Sequence, residues 1–425
     1  MKGAPLAAAR RQGPRPLALH LASAATAWTS SLAALPLLSS GSLSWKPELA
    51  DAAHALRQSL ADVAPEALSD AVEAELRTRA DAFLRGLQRY RAHPYRRALA
   101  DPPVVWREGT TRLLDYGPPG ASPVLVIPSL VNQAYILDLA EDKSLLRFLA
   151  GAGLRPMLVD WARPGEVERG FGLSDYVAGR LEAAALAAAA AAGARLAVVG
   201  YCMGGLLALA LAERRPEMVG ALALLATPWD FHAERAGQAR LLGRIAAPLV
   251  QGCAALGEVP VDVLQALFAA LDPLLVVRKF SRFATLPEGS AEERDFVALE
   301  DWLNDGVPLA LPVMRECLGG WYGENTPGRG TWRIVGRRVV PSRIAVPSLV
   351  VIPAQDRIVP PASAEALAEG LPKAERLALT LGHIGMVVAR EAPAALWRPL
   401  AEWLLRHAAA QTGSQNRRRG LSKGE

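Results

Sequence analysis

The residues best suited to do chemistry lie in Gly200-Tyr201-Cys202-Met203-Gly204-Gly205, where glycines stand two positions either side of a cysteine. An apolar run precedes this segment at 196–199 and another follows at 206–212, which predicts a strand, a sharp turn and a helix. The spacing is that of a nucleophile elbow with Cys in place of Ser. A helix N-terminus also favours the thiolate, because its unpaired amides carry partial positive charge. We therefore expect Cys202 to be a nucleophile, with a buried cysteine in a glycine-containing turn as the alternative.

Two later segments supply an acid and a base. Asp356 follows a strand-like apolar run at 344–353, and His383 lies in a glycine-flanked loop at 381–385. The chain order of nucleophile, acid and histidine is the order found in α/β-hydrolases. His383 would take the thiol proton and return it to a leaving group. Asp356 would fix the imidazole tautomer and stabilise its charged form.

Other assignments of the acid and the base remain open. Asp356 could be a turn or cap residue, and His383 could be an ordinary loop histidine. Among the 6 histidines of the chain, His232 is the best substitute base, because it follows a strand-like run at 221–225 together with Asp230 as a substitute acid. The agreement of three residues in order and spacing favours Cys202, Asp356 and His383.

These segments together resemble the polyhydroxyalkanoate synthases, which include the poly(3-hydroxybutyrate) polymerases. The family's G-x-C-x-G-G box is matched at 200–205, its acid segment at 356–361 and its histidine segment at 382–385. Further segments similar to family landmarks lie at 128–139, 159–164, 175–177, 227–231 and 322–325. The combination is more specific than a nucleophile elbow alone.

The resemblance implies a transfer of acyl groups from coenzyme A. Cys202 would carry the growing polymer or an incoming hydroxyacyl group as a thioester. His383 would activate the thiol and the 3-hydroxyl of the hydroxyacyl-CoA, and Asp356 would act through the histidine or on the hydroxyl. Coenzyme A enters as part of the substrate, and no metal or redox cofactor is expected, since thiol chemistry on an activated thioester needs neither.

An oxyanion hole should accompany the nucleophile. Its first donor is predicted to be the backbone amide of Met203, the residue after the cysteine. Its second donor should come from the loop after an early strand, which places it near Val131 and Asn132.

The resemblance also implies partners and a location. It implies 3-hydroxyacyl-CoA and a polyester chain as ligands, a homodimer, and either a partner subunit or the polymer granule surface as a further contact. The cytoplasm is the expected location. The chain departs from the large single-subunit members, because only about 100 residues precede the predicted core. It also carries Arg357 where some synthases have His after the acid.

Two other functions fit parts of the sequence. A Cys-dependent hydrolase, such as a thioesterase or an intracellular polyhydroxyalkanoate depolymerase, would use the same triad. A granule-associated binding protein with vestigial catalysis belongs to another class, and the intact triad argues against it. The segments outside the triad favour the synthase over the hydrolase.

Composition sets broad limits on these hypotheses. The chain has 425 residues, 51% of them hydrophobic and 21% charged, as expected for a soluble globular protein. The net charge of +5 is mild, and the sequence contains no recognisable nucleic-acid module. The 3 cysteines lie far apart, which predicts neither a disulfide framework nor a metal cluster and suggests a reducing compartment.

Two apolar stretches could be mistaken for membrane signals. The stretch at 17–38 is interrupted by His20, Trp28, Pro36 and several Ser and Thr residues, so we do not predict a signal peptide. The family resemblance favours a surface or granule-facing segment there, with an ordinary helix packing on the core as the alternative. The longest apolar run, at 196–212, contains the elbow glycines, which divide it into a strand and a helix. We therefore expect no transmembrane span.

Alternating strands and helices must position these residues. Strands are predicted at 124–128, 156–160, 196–199, 221–225, 348–352 and 376–380. An Ala-rich helix is predicted at 183–194, between the second and third of these strands. This alternation predicts an α/β-hydrolase fold with a mostly parallel central sheet, a helical cap insertion and a short helical N-terminal region. Ligand sites in such sheets lie beyond the carboxyl ends of the strands, where all three triad residues fall.

The predicted domains follow from this layout. Residues 1–44 should be a loosely ordered lead, and 45–95 should form one or two helices. The predicted boundaries are 1–100 for the N-terminal lead and helical region, 101–230 for the first part of the core, 231–338 for the cap, 339–410 for the second part of the core and 411–425 for a disordered basic tail. The aromatic and glycine-rich part of the cap, at 318–323, is expected to pack in the core, with the border of a tunnel as the alternative.

Overall fold

The computed structural model describes residues 11–407, so the predicted basic tail at 411–425 lies outside the described residues. The described chain divides into two compact units. The helical unit comprises residues 11–96 and 265–304, and the sheet unit comprises residues 97–264 and 305–407. The segment predicted as a cap is therefore divided between the units. The predicted domain boundaries stay predictions.

An eight-stranded sheet forms the centre of the sheet unit. In chain order its strands are β1 (Val104–Glu108), β2 (Thr111–Asp115), β3 (Ser122–Ile127), β4 (Leu154–Asp160), β5 (Leu196–Tyr201), β6 (Val219–Leu225), β7 (Ser348–Pro353) and β8 (Ala374–Leu379). Their order across the sheet is β1-β2-β4-β3-β5-β6-β7-β8. The first two strands join antiparallel, and every pairing from β4 to β8 is parallel.

The burial of each strand explains its place in the sheet. Strands β4, β5, β6 and β7 are buried along their whole length, as expected for parallel strands covered on both faces. At the two edges, most residues of β1 are exposed and β8 is only partly buried. The sequence analysis found the apolar central strands and β8 and did not predict β1 and β2, which lack a continuous apolar run.

Helices connect these strands and build the rest of the chain. They are α1 (Leu17–Ser39), α2 (Ala50–Ser59), α3 (Pro65–Ala92), α4 (Leu145–Gly151), α5 (Glu182–Ala192), α6 (Met203–Arg214), α7 (Ala236–Cys253), α8 (Val261–Ala269), α9 (Leu275–Phe283), α10 (Ala291–Asn304), α11 (Leu311–Arg315), α12 (Pro361–Gly370) and α13 (Gly385–Val388). Wider π-helical turns occur at Asp175–Leu181, Glu316–Gly323 and Pro393–Trp397. Two-stranded pairs lie at Asp138–Ala140 with Lys143–Ser144, at Glu258–Val259 with Leu309–Ala310, and at Arg333–Ile334 with Arg337–Arg338.

The helical unit has an aromatic core of its own. The Phe280 ring meets the Phe83 and Tyr90 rings edge to face, at centroid distances of 6.5 and 5.5 Å. At the edge of this core an ion pair joins Arg89 to the buried carboxylate of Glu293 at 2.7 Å. These contacts explain how α3 and α9, distant in sequence, pack together.

Helix α1 corrects the expectation of a loosely ordered lead at 1–44. Residues Leu17–Ser39 are helical, and His20 and Ala24 are buried. The hydroxyl groups in this helix bond back to carbonyls of the preceding turn, as Thr29 does to Ala25 at 2.9 Å, so the Ser and Thr residues do not interrupt it. Among residues 11–407, α1 is also the one helix that is long and apolar enough to cross a membrane, judged by length and composition alone.

Candidate active site

Cys202 lies in the sharp turn between β5 and α6. Its backbone has φ +55° and ψ −125°, a conformation that a residue with a side chain rarely adopts. Backbone bonds on both sides fix it there: the Cys202 N–H donates to the Leu225 carbonyl at 2.8 Å, and the Gly205 N–H donates to the Cys202 carbonyl at 2.9 Å. The strained turn lies at the carboxyl end of β5, where the sequence analysis expected a nucleophile elbow.

The glycines around Cys202 have a steric cause. A Cβ on Gly204 would overlap the backbone carbonyls of Ile127 and Pro128, and a Cβ on Gly205 would overlap the Thr227 side chain. The first of these neighbours is the backbone at the end of β3, which cannot give way. Close packing of α6 against the sheet therefore explains why the residues after the cysteine are glycines.

Asp356 and His383 form a buried pair beside this turn. The imidazole Nδ1–H donates to Asp356 Oδ2 at 2.6 Å, while Oδ1 accepts the backbone N–H groups of Ile358 and Val359, both at 2.8 Å. The side chains of His383 and Asp356 are 8% and 0% exposed, so water scarcely competes for these bonds. The carboxylate thus orients the ring and leaves Nε2 for the nucleophile.

The charge of the imidazole is set by its neighbours. Burial lowers the pKa of His383, but the Cys202 thiolate and the Asp356 carboxylate outweigh burial and raise that pKa to about 10. The Cys202 side chain therefore lies close enough to His383 to influence its charge. The structure therefore brings together the three residues predicted as a catalytic triad, in an arrangement that favours a thiolate–imidazolium pair.

Tyr201 is a further member of the site that sequence reasoning missed. Its hydroxyl donates to the His383 carbonyl at 3.1 Å, and its ring lies 5.4 Å from the imidazole. The elbow strand and the histidine loop are thus tied together directly. No local sequence pattern predicts this contact, because Tyr201 and His383 are far apart in sequence.

The substitute acid and base do not form a pair through the imidazole ring. Asp230 accepts the backbone N–H of His232 at 2.8 Å and the side-chain amide of Asn325 at 2.8 Å. The His232 ring instead bonds the Tyr322 carbonyl through Nε2, also at 2.8 Å. These residues hold the segment around 322–325 in place, which is a positioning role.

The predicted oxyanion donors have different surroundings. Met203 is the first residue of α6, so its N–H has no acceptor within the helix and is suited to bind an oxyanion. The Val131 N–H already donates to the Ser129 hydroxyl at 3.0 Å, which counts against it as the second donor. Asn132, with φ +66°, stands in the same turn and stays a prediction.

The aromatic segment at 318–323 packs in the core, as the sequence analysis expected. Cys317, Leu318 and Trp321 are buried. A Cβ on Gly243 of α7 would overlap the backbone of Gly323, so α7 and the π-helical turn lie in close contact. Among residues 11–407, no group of three or more His, Cys, Asp or Glu side chains is placed to hold a metal ion.

The sheet order and the strand–turn–helix at Cys202 define an α/β-hydrolase fold, and comparisons with known proteins agree on that fold. The family model of the α/β-hydrolase fold matches residues 159–242. The model of the poly-beta-hydroxybutyrate polymerase (PhaC) N-terminus matches residues 96–149.

Relatives of known activity extend the match to most of the chain. The poly(3-hydroxyalkanoate) polymerase subunit PhaC of Haloferax mediterranei is 28% identical over 71% of this chain and 63% of its own length. The protein of the same name from Synechocystis sp. is 29% identical over 71% of this chain and 83% of its own length. The match thus spans slightly less than two thirds of the Haloferax protein. Over 71% of its length the chain is thus similar to poly(3-hydroxyalkanoate) polymerases, which are enzymes of the acyltransferase type.

Solved structures with a similar chain trace include the thioesterase domain from the curacin biosynthetic pathway. It is 17% identical with a TM-score of 0.42, and the similarity covers 72% of this chain and 100% of that one. The monoacylglycerol lipase of Paleococcus ferrophilus is 17% identical with a TM-score of 0.44, covering 70% of this chain and 99% of that one.

Proposed function

We propose that the chain polymerises 3-hydroxyacyl-CoA into polyhydroxyalkanoate through a thioester on Cys202. The observation that carries this proposal is the Cys202 thiol at a strained elbow, beside a His383 whose imidazole is bonded to Asp356 at 2.6 Å. Relatives named poly(3-hydroxyalkanoate) polymerase support the choice of substrate.

The first step loads the acyl group onto the enzyme. Cys202 Sγ attacks the thioester carbonyl carbon of the acyl-CoA while the imidazolium of His383 holds the thiol proton. The oxyanion that forms is stabilised by the Met203 N–H. The bond from carbon to the coenzyme A sulfur then breaks, and His383 gives its proton to that sulfur.

The second step transfers the acyl group to an alcohol. His383 accepts the proton of the 3-hydroxyl, the alcohol oxygen bonds to the thioester carbonyl carbon, and the bond to Sγ breaks to restore the thiolate. The polyester chain therefore grows by one hydroxyacyl unit in each cycle. Polymer accumulates only if water is kept from the thioester carbonyl. The burial of Asp356 and His383, which are 5% and 8% exposed as residues, fits this requirement.

Partners and location form part of the same proposal. We expect no metal or redox cofactor, a homodimer, a cytoplasmic location, and contact with a partner subunit or with the surface of a polymer granule. The large exposed apolar side chains of α1, Leu19, Leu21 and Leu37, would suit such an apolar surface.

The Cys-dependent hydrolase and the granule-binding protein are the alternatives, and one assay separates all three. The purified chain is given 3-hydroxybutyryl-CoA, and coenzyme A release and products are followed together. Polymer supports the synthase, free 3-hydroxybutyrate supports a thioesterase-type hydrolase, and no release of coenzyme A supports the binding protein.

Substitution of the nucleophile tests the mechanism. Cys202→Ala removes the atom that would carry the acyl group, so coenzyme A release should fall by about four orders of magnitude or more. Cys253→Ala, at the buried end of α7, is the matched control and should keep activity near the wild-type value. Full coenzyme A release by the Cys202 variant would show that the mechanism is wrong.

A further inference from the structure

The order of strands places one loop between the nucleophile and the acid. Strand β6 lies between β5 and β7, and Leu225 at its end pairs with Tyr201 on one side and Val351 on the other. The segment that follows β6, residues 226–232, therefore leaves the sheet between the strand that ends before Cys202 and the strand that leads to Asp356. A residue anchored on this segment is therefore held near the strand ends that lead to Cys202 and to Asp356.

Tyr322 is anchored on that segment by contacts on both sides. The His232 ring bonds the Tyr322 carbonyl at 2.8 Å, and the Phe231 ring meets the Tyr322 ring at 4.9 Å, tilted by 67°. Beyond it in sequence, Asn325 accepts the Phe231 N–H at 3.0 Å and donates to Asp230 at 2.8 Å. The backbone before and after the tyrosine is thereby fixed.

Tyr322 lies close enough to the charged groups of the site for their charges to act on its hydroxyl. Burial, followed by the negative charges of Cys202, Cys317 and Asp356, raises the pKa of Tyr322, so the hydroxyl stays protonated and available as a donor. None of the hydrogen bonds among residues 11–407 uses this hydroxyl; the bond to His232 is made by the backbone carbonyl. The Tyr322 hydroxyl is therefore able to donate a hydrogen bond to an atom of a bound substrate.

The position of Tyr322 in the sheet order indicates which substrate atom it meets. The loop that carries the predicted oxyanion donors follows β3, on one side of β5, whereas Tyr322 is anchored on the β6 side. The carbonyl oxygen of the acyl group would point to the β3 side. The β6 side is shared with Asp356 and His383, where protons are exchanged with leaving and attacking groups.

We propose that the Tyr322 hydroxyl binds the acceptor alcohol of the polymerisation, with Asp230, His232 and Asn325 as positioning residues. This inference rests on the proposed function. The Tyr322 O–H donates to the oxygen of the 3-hydroxyl, and that hydroxyl passes its own proton to His383 Nε2. The same oxygen then bonds to the thioester carbonyl carbon while the bond to Cys202 Sγ breaks. Tyr322 keeps its proton throughout and selects the acceptor by orienting it.

Two acyl donors separate the loading step from the acceptor step. Butyryl-CoA lacks the 3-hydroxyl, so it loads Cys202 and cannot elongate, whereas 3-hydroxybutyryl-CoA does both. With Tyr322→Phe, the burst of coenzyme A from butyryl-CoA should stay within about twofold of wild type. Polymer elongation from 3-hydroxybutyryl-CoA should fall about tenfold to a hundredfold, the effect of one lost hydrogen bond in a proton-transfer step.

The matched control is Tyr176→Phe, which removes the hydroxyl of another enclosed tyrosine whose ring packs against Trp161 and Phe171. Both steps should stay near wild type in this control. Equal losses of loading and elongation in Tyr322→Phe, or elongation like that of the control, would overturn the inference. Failure of the proposed function looks different, because the wild-type chain itself would then make no polymer.

The positioning role has a separate test. His232→Ala removes the bond to the Tyr322 carbonyl and should slow elongation more than loading, by less than Tyr322→Phe does. His232→Gln supplies an amide N–H and should restore much of that loss. An unchanged elongation rate in His232→Ala, or a loss in loading of equal size, contradicts the assignment even if the tyrosine variant does not fold.

Discussion

The imidazole of His383 is subject to opposing influences. Burial alone disfavours its charged form, whereas the thiolate of Cys202 and the carboxylate of Asp356 favour it, and their sum raises the pKa of His383 to about 10. The ring should therefore be charged at neutral pH as long as the thiolate is present.

Nuclear magnetic resonance titration can check this charge. Because the thiolate makes the largest contribution that raises the pKa of His383, Cys202→Ala should lower that pKa clearly below the wild-type value of about 10. The favourable interaction is fully present below about pH 6.5 and is lost as pH rises through about 10, so wild-type stability should decline over this range more than that of the variant.

The Cε1 proton of His383 reports the titration, and Cys253→Ala should leave it unchanged. A curve for the Cys202 variant that matches wild type would mean that thiolate and imidazole do not interact.

At this scale the sequence located three residues that the structure brings together, but it did not predict the contacts that support them. Cys202, Asp356 and His383 each sit in a local pattern of glycines or after an apolar strand, so they could be found without a structure. The bond from Tyr201 to the His383 carbonyl and the bond from Asp230 to Asn325 could not, because each joins segments distant in sequence. Their catalytic roles stay predictions, whereas their proximity is a structural finding.

Close contact between α6 and the sheet determines the position of the turn that carries Cys202. Helix α6 is buried from Met203 to Ala212, and its first turn approaches the backbone at the end of β3. Only residues without a side chain allow that approach, so the glycines at 204 and 205 determine how near Cys202 lies to the sheet. The position of the nucleophile is thus a property of the strand–turn–helix element.

Gly204→Ala tests this close approach. The added Cβ would overlap the Ile127 and Pro128 carbonyls, so we expect a loss of about 3 kcal/mol or more in the free energy of unfolding. Gly151→Ala, at the end of α4 where a Cβ meets open space, should change stability by less than about 1 kcal/mol. Urea denaturation followed by circular dichroism measures both, and equal stability of the two variants would contradict the packing argument.

Strand prediction succeeded where burial is continuous. The predicted strands at 221–225 and 348–352 coincide with β6 and β7 to within two residues, because both are apolar along their whole length. The antiparallel edge, β1 and β2, was missed, since edge strands carry exposed and charged residues such as Arg107. At 17–38 the sequence left a helix as the alternative, and α1 forms there, with its hydroxyl groups bonded to carbonyls of the preceding turn.

At the scale of the whole molecule, each compact unit has its own interior. The helical unit is held by the rings around Phe280 and by ion pairs, including the Lys279 ammonium on the buried Glu300 at 2.6 Å. The sheet unit holds Cys202, Asp356 and His383. The sequence could not predict that residues 265–304 belong to the helical unit, because they pack with helices from residues 11–96, far earlier in the chain.

Hydrogen–deuterium exchange can test whether the helical unit has an independent core. Phe280 is fully buried, so Phe280→Ala should destabilise the helical unit by about 3–5 kcal/mol. Exchange should rise in α3, α9 and α10 and stay slow in β5 and β6. Leu84→Ala, at a side chain on α3 that is 45% exposed, is the control. An equal rise of exchange in both units would contradict independent cores.

The insertion of β6 between β5 and β7 also has a consequence for synthesis. A ribosome produces the thiol long before the ring that activates it, and between them it makes an intervening strand and the helices that follow. A half-made molecule therefore has a sulfur atom but no proton acceptor beside it. Under the proposed function, newly emerging chains should not react with acyl-CoA until translation has passed β8 and His383 has been added.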